Sequence, residues 1–196
     1  MSLPATFKPT DAEALGWVAR VRRGDAKAFE AMFRAYYDTL IAYAWRISRS
    51  REIAEELVQD VFARIWERRA AWTATDSLAA YLHGAVRNEA LRRIRRDQLE
   101  QQWRQRAGAN DAPRFNGSAP EAADARLRAD DAASAVRRAI DALPPRCREA
   151  FLLRRQHRLS YAEIAQVMKI SPKTVEVQVG AALRTLRVSL GDLVRE

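Results

Sequence analysis

The chain has 196 residues, and 34 Lys and Arg against 25 Asp and Glu give it a net charge of +9. Its single cysteine, Cys147, excludes an intrachain disulfide framework and a zinc site built from several cysteines. The sequence contains no apolar run long enough to predict a membrane-spanning helix or a signal peptide, so we expect a cytoplasmic protein. A strongly basic chain favours an acidic partner, and nucleic acid is the commonest one.

The first half of the chain predicts helices alone, because apolar residues recur every three or four positions and no alternating strand pattern occurs. Helices are expected over residues 11–23, over a segment capped by Asp25, over 51–69 and over 77–96, with a loop at 71–76. The apolar pairs of the third helix, from Ile53-Ala54 to Ile65-Trp66, form a wide stripe that must be buried.

The composition changes near residue 97, where apolar periodicity fades and Gly108, Pro113, Gly117 and Pro120 follow. We interpret 98–130 as a flexible linker between two small helical domains, residues 1–97 and 131–196. The expected fold class is therefore all-α.

The second half predicts a helix-turn-helix. A helix that ends at Pro144-Pro145 precedes one over 146–155, and Ser160 with Glu163 then forms a capping box. Ser171 followed by Pro172 marks the start of the last helix. A short helix, a tight turn and a longer helix form the motif.

The last helix has an inward face through Val175 and Val179, so other positions point outward and suit the major groove of DNA. Glu176 can accept a hydrogen bond from cytosine N4, and Val177 can contact a thymine methyl group. The outward residues are Lys173, Glu176, Val177, Gly180, Ala181 and Arg184. An ordinary helical hairpin with a solvated face is the competing interpretation.

A basic run ends the fourth predicted helix: Arg87, Arg92, Arg93, Arg95 and Arg96. These cations either compensate the helix dipole or bind phosphates. Trp72 and Tyr81 precede them, and aromatic rings with cations suit single-stranded DNA, although Tyr81 is expected to be partly in the core.

Catalysis is not expected. The polar face of the third helix carries several carboxylates, but no nucleophile or metal ligands accompany them. Cys147, His83 and His157 are interpreted as structural or surface residues. We therefore expect no enzyme activity, no cofactor, no metal and no small-molecule substrate.

Two blocks of sequence resemble bacterial extracytoplasmic-function (ECF) sigma factors. The segment ELVQDVFARIW at 56–66, with Tyr81-Leu82 and Val86-Arg87-Asn88, resembles region 2 of that family. The segments LPPR at 143–146, LSYAEIA at 159–165 and ISPKTV at 170–175 resemble region 4. Both blocks occur in the family's order and coincide with the two expected domains.

The resemblance implies roles for particular residues. Region 2 would bind the clamp helices of core RNA polymerase through Leu57, Val58, Gln59, Asp60 and Phe62. The loop at 71–76 would read the minus-10 element with one non-template base flipped out, Trp72 stacking and Asn88 hydrogen-bonding. The full minus-10 set is Trp72, Tyr81, Asn88, Arg92 and Arg95. Region 4 would bind the minus-35 element through Lys173, Thr174, Glu176, Val177, Gly180, Ala181 and Arg184, beside a contact with the polymerase flap.

Some residues depart from the family pattern. Many relatives have an acidic residue at the position of Arg92, and basic or hydroxyl residues at those of Glu176, Val177 and Ala181, which implies a different minus-35 sequence. The segment TVEVQVGAAL at 174–183 is similar to the ferric-citrate-type branch. That branch implies control by a membrane-bound anti-sigma factor.

Two other interpretations stay open at this point. The chain could be a stand-alone helix-turn-helix regulator whose first domain senses a signal or dimerises. It could also be an interaction module whose basic charge serves solubility. Dependence on polymerase separates them: a stand-alone regulator binds a specific duplex tightly by itself.

Overall fold

The structure is a computed structural model and describes residues 9–73, 77–106 and 129–191. In these ranges it contains eight helices and no strand, which confirms the all-α prediction. The helices are α1 (Asp11–Arg22), α2 (Ala26–Ser48), α3 (Arg51–Glu67), α4 (Leu78–Arg106), α5 (Ala129–Asp141), α6 (Pro145–Arg155), α7 (Tyr161–Met168) and α8 (Pro172–Gly191). The first four helices belong to an N-terminal unit and the last four to a C-terminal unit.

Local hydrogen bonds set where the first two helices begin. Thr10 and Glu13 form a capping box, in which the Glu13 N–H donates to Thr10 Oγ1 at 3.3 Å and the Thr10 N–H donates to the Glu13 carboxylate at 2.8 Å. Gly24, with φ of +85°, makes the turn that ends α1. Asp25 then caps α2 as predicted, accepting from the Ala28 N–H at 3.1 Å.

The core of the N-terminal unit lies where α2, α3 and α4 pack together. Its largest buried side chains include Met32, Leu40, Phe62 and Leu82. The Phe62 ring contacts Phe33 edge-on, with 4.9 Å between the ring centroids. The apolar stripe of the third helix is buried from Ala54 to Ile65, as its spacing predicts, while Ile53 and Trp66 at its ends are half-buried.

Helix α4 is longer than the sequence pattern predicts. The expected end at Arg96 is wrong, because the helix continues to Arg106. The added residues are mostly Gln, Glu, Arg and Leu, which favour helix without needing an apolar face. The predicted linker therefore begins inside a helix, and its residues 107–128 lie outside the described part of the chain.

The C-terminal unit contains the predicted helix-turn-helix in α7 and α8. The Ser160 capping box is confirmed: the Ser160 N–H donates to the Glu163 carboxylate at 2.6 Å, and the Glu163 N–H donates to Ser160 Oγ at 3.2 Å. Ser171 caps α8 by accepting from the Thr174 N–H at 3.0 Å. Helix α8 packs against α5, α6 and α7, so its inward face forms the centre of this unit.

Both histidines are buried, at 1% exposure for His83 and 8% for His157. Of the two expected alternatives, structural or surface residues, both histidines are therefore structural. Among the described helices, none combines the length and the apolar character needed to cross a membrane.

Candidate nucleic-acid interface

A cleft of about 520 Å³ opens between α3, the loop that follows it and α4. We call it the α3–α4 cleft. It brings together Trp72, Tyr81, Asn88 and Arg92, which are four of the five residues expected at the minus-10 element. Arg95 is exposed and is not part of its lining. The remaining lining residues are Val61, Arg64, Ile65, Arg68, Ala71, Thr73, Ala85 and Glu89.

The two aromatic residues of the cleft differ in exposure. Trp72 is buried, with 5% of its surface exposed, whereas Tyr81 is 38% exposed. Their rings pack at 5.7 Å between centroids with a 60° tilt. The indole is the larger apolar group, so it fills the wall and supports the phenol in front of it. Tyr81 is thus the more exposed ring of the two, and the stacking of a base on Trp72 stays a prediction.

The indole nitrogen of Trp72 is a buried polar atom without a partner in the described structure. Trp72 Nε1 is shielded from solvent and makes no hydrogen bond. An unsatisfied buried N–H costs free energy, so such groups are uncommon in folded proteins. Asn88 and Arg92 line the same cleft with further hydrogen-bonding groups.

Charge at the cleft is predominantly positive. Three guanidinium groups, from Arg64, Arg68 and Arg92, line it beside one carboxylate, from Glu89. Glu89 accepts from Arg64 at 2.8 Å and lies 3.5 Å from Arg92. The carboxylate therefore fixes two arginines at the rim while leaving an excess of positive charge that suits phosphate. Sequence reasoning missed Arg64, Arg68 and Glu89, because they come from different helix turns that only packing brings together.

The helix face expected to bind polymerase is divided between core and surface. Leu57, Val58 and Phe62 are at most 3% exposed, and their contact with polymerase stays a prediction. They belong to the stripe that packs α3 into the core. Gln59 and Asp60 are exposed on the same helix and remain the candidates for contact.

On the recognition helix α8, the outward side chains pair with one another. Lys173 Nζ lies 2.9 Å from the Glu176 carboxylate, and this hydrogen bond raises the pKa of the Lys173 amine. The Thr174 and Ser171 hydroxyls lie 2.8 Å apart. Val177 is 59% exposed next to them. The first turn of α8 therefore presents an amine, a carboxylate and an apolar side chain within one small surface.

The outward face of α8 that is expected to read DNA is called the reading face. Beyond the helix start it carries two small residues and then a basic one. Gly180 and Ala181 are half-buried, and Arg184 is exposed. A methyl group built on Gly180 would lie 3.6 Å from a terminal nitrogen of Arg184, in ordinary contact. The Arg184 side chain therefore lies back along the helix over Gly180. Among the described residues, no group of three or more His, Cys, Asp or Glu side chains could hold a metal ion.

Comparison with protein-family models gives two matches along the chain. Residues 32–100 match Sigma-70 region 2, and residues 133–186 match Sigma-70, region 4. The α3–α4 cleft lies in the first match and the helix-turn-helix lies in the second. Together the two matches cover more than half of the sequence.

Curated proteins with similar sequences span nearly the whole chain. The RNA polymerase sigma-H factor of Pseudomonas aeruginosa is 26% identical over 190 residues, covering 91% of this chain and 94% of that protein. The ECF RNA polymerase sigma factor SigW of Bacillus subtilis is 23% identical over 182 residues, covering 90% of this chain and 96% of that protein.

Two solved structures share the fold. CnrH, in complex with the cytosolic domain of CnrY, gives a TM-score of 0.63 at 21% identity, covering 93% of this chain and 99% of that one. The sigma factor RpoE of Bartonella quintana, in complex with the anti-sigma factor NepR, gives a TM-score of 0.61 at 22% identity. The match covers 85% of this chain and 98% of that one.

Proposed function

The chain belongs to the sigma-70 family as an RNA polymerase sigma factor of the ECF type, and we propose that its α3–α4 cleft captures an unstacked base of the minus-10 element. Sigma factors are initiation factors rather than enzymes, so we expect the cleft to act by binding. The observation that supports the proposal is the cleft itself, which combines an exposed phenol, an amide and a basic rim.

Each part of the cleft suits one part of a nucleotide. The Tyr81 ring can stack on a base, the Asn88 amide can donate to and accept from a base edge, and Arg68 and Arg92 can bind the flanking phosphates. A base exposes its edge and both faces only after it leaves the duplex. Capture in the cleft therefore favours the melted form of the promoter, so that recognition of the minus-10 element and its melting become one process.

We propose Gln59 and Asp60 as the contact with the clamp helices of core RNA polymerase. Both are exposed on α3, and the core residues Leu57, Val58 and Phe62 hold that helix in place. Replacing both with Ala should weaken binding to core polymerase by about tenfold, because loss of charged or polar interface contacts costs this order of free energy. Glu30→Ala, on the exposed side of α2, is the control. Unchanged affinity of the double variant would contradict the assignment.

We propose that the C-terminal unit reads the minus-35 element with α8. The exposed first turn and Arg184 would enter the major groove, as the second helix of a helix-turn-helix does. Glu176 and Val177 then favour a cytosine amino group and a thymine methyl group respectively. A contact of this unit with the polymerase flap belongs to the same proposal.

We also propose control by an anti-sigma factor. The similarity of residues 174–183 to the ferric-citrate-type branch supports a membrane-bound regulator with a cytoplasmic domain that binds this chain. The sigma factor itself would act in the cytoplasm with the polymerase. Purified cytoplasmic domain from a regulator of that branch should block association with core polymerase, and the absence of any effect would remove this part of the proposal.

Run-off transcription tests the proposed function. Core polymerase alone and core polymerase with this chain are compared on fragmented genomic DNA from the host. New discrete transcripts that need the chain are expected, and their aligned start sites would give both promoter elements. Selective duplex binding by the free chain without new transcripts would instead indicate a stand-alone regulator.

A further inference from the structure

The face of α4 that forms one wall of the cleft continues far beyond it. Tyr81, Asn88 and Arg92 follow one another at helical spacing, and Leu99 and Trp103 continue the same series. Leu99 is 56% exposed and Trp103 is 71% exposed. Trp103 also lies beyond residue 100, where the match to region 2 ends. This chain therefore places an exposed indole on a helical extension in line with the cleft.

Basic side chains outnumber acidic ones on α4 between the cleft and the Trp103 indole. The carboxylates nearby have arginine partners: Glu89 pairs with Arg64 at 2.8 Å, Asp97 with Arg93 at 3.6 Å and Glu100 with Arg104 at 3.4 Å. Cations followed by an aromatic ring are the combination that binds single-stranded nucleic acid. The exposed cations are Arg92, Arg95 and Arg96.

We propose that the extension of α4, defined by Arg95, Arg96, Leu99 and Trp103, is a second contact for single-stranded promoter DNA. A base stacks on the Trp103 indole while another base of the same strand occupies the cleft. This inference rests on the proposed function of the cleft. Charge complementarity and continuity with the cleft identify the occupant as the DNA strand that leaves it.

The length of the helix sets the spacing of the two contacts. Fifteen residues separate Asn88 from Trp103, which corresponds to about 22 Å along an α-helix. At a rise of about 3.4 Å per stacked nucleotide, that distance spans roughly six nucleotides. An oligonucleotide that covers the cleft element alone is thus too short to reach Trp103.

Fluorescence anisotropy with holoenzyme, assembled from core polymerase and the full chain, tests the proposal. Three single-stranded oligonucleotides are compared: the minus-10 element alone, and the same element lengthened by about eight nucleotides on its 5′ or its 3′ side. We expect one of the two longer strands to bind about tenfold more tightly, as one stacked base allows. Trp103→Ala should remove most of this gain, because the stacking ring is lost, and should leave binding of the short strand unchanged.

A matched control distinguishes the face from the helix. The control variant is Gln105→Ala, which changes an exposed, uncharged residue of the extension off the proposed face and should keep the full gain. Equal binding of short and long strands by the native holoenzyme would overturn the proposal, as would an undiminished gain in Trp103→Ala. Loss of polymerase binding by Trp103→Ala, with DNA binding retained, would also overturn it by showing a protein contact.

The cleft has its own readout in the same experiment. Asn88→Ala should weaken binding of the short strand, which does not reach Trp103. A short strand that binds Asn88→Ala as tightly as the native holoenzyme contradicts the proposed function of the cleft. A defect in Asn88→Ala without any gain from longer strands contradicts the extension alone.

Discussion

The two candidate DNA-binding surfaces of this protein are built in opposite ways. The α3–α4 cleft is concave, and its walls come from two helices and a loop. The reading face of α8 is convex and comes from one helix, with Lys173, Glu176 and Val177 in its first turn. An unstacked base has to be enclosed to be recognised, whereas the major groove has to be entered by a protruding element. The shapes therefore suit the proposed roles, in which the cleft binds melted DNA and α8 binds duplex DNA.

The interactions that hold the two surfaces differ in the same way. In the cleft, Trp72 packs against Tyr81 and Arg64 pairs with Glu89, and each of these two contacts joins different elements. On α8, Lys173 pairs with Glu176 three residues away. Changes in the core of the N-terminal unit should consequently disturb the cleft, while changes on α8 should stay local.

The largest expected effect comes from Phe62→Ala, which removes a ring buried between α3 and α2. Phe62 packs against Phe29 and Phe33, and truncation of such a residue leaves a cavity. Loss of about 3–5 kcal/mol from the unfolding free energy of the N-terminal unit is expected. Denaturant titration followed by amide resonances from both units measures it. The C-terminal unit should keep its midpoint, because Phe62 packs in the core of the N-terminal unit; equal losses in both units would contradict a local effect.

A smaller effect is expected from Glu176→Ala on the reading face. Removal of the carboxylate takes away a base-edge acceptor and frees the Lys173 amine. Preference at one minus-35 position should relax by about tenfold, corresponding to one lost base contact of about 1–3 kcal/mol. Holoenzyme binding to a duplex library measures the change, with Ser189→Ala near the end of α8 as the control. An equal loss on every sequence would show a role in general affinity instead.

The smallest effect is expected from Ser160→Ala, which removes the cap of α7. The Ser160 hydroxyl accepts from the Glu163 N–H, and this bond is lost. Unfolding free energy of the C-terminal unit should fall by about 1 kcal/mol. Ser160→Thr should restore most of it, since Thr also caps. If thermal unfolding of Ser160→Ala matches the native chain, the capping box contributes nothing to this unit.

The contrast between the surfaces also explains what could be predicted from the sequence. Helix starts at Asp25, Ser160 and Ser171 depend on neighbouring residues, so local patterns predict them correctly. The inward face of α8, through Val175 and Val179, follows from periodicity alone. Single-helix properties of this kind need no knowledge of the tertiary fold.

The cleft could be predicted only in part. Asn88 and Tyr81 share a helix face, but the burial of Trp72 depends on how the loop packs, which spacing does not contain. Leu57 and Val58 illustrate the same difficulty, because a sequence motif does not separate residues that support an interface from those that touch the partner. Apolar periodicity does not predict the end of α4, because the helix beyond Arg96 is largely exposed and lacks a buried apolar face.

Asn88→Ala in a promoter-melting experiment tests the central claim most directly. Holoenzyme is mixed with duplex promoter that carries a fluorescent base analogue in the minus-10 element, and duplex binding and melting are measured separately. We predict that the variant binds duplex within about twofold of the native chain and forms open complex at least about tenfold less well, since it loses a base-edge contact made only after melting. Equal losses in duplex binding and melting would contradict capture of an unstacked base in the cleft.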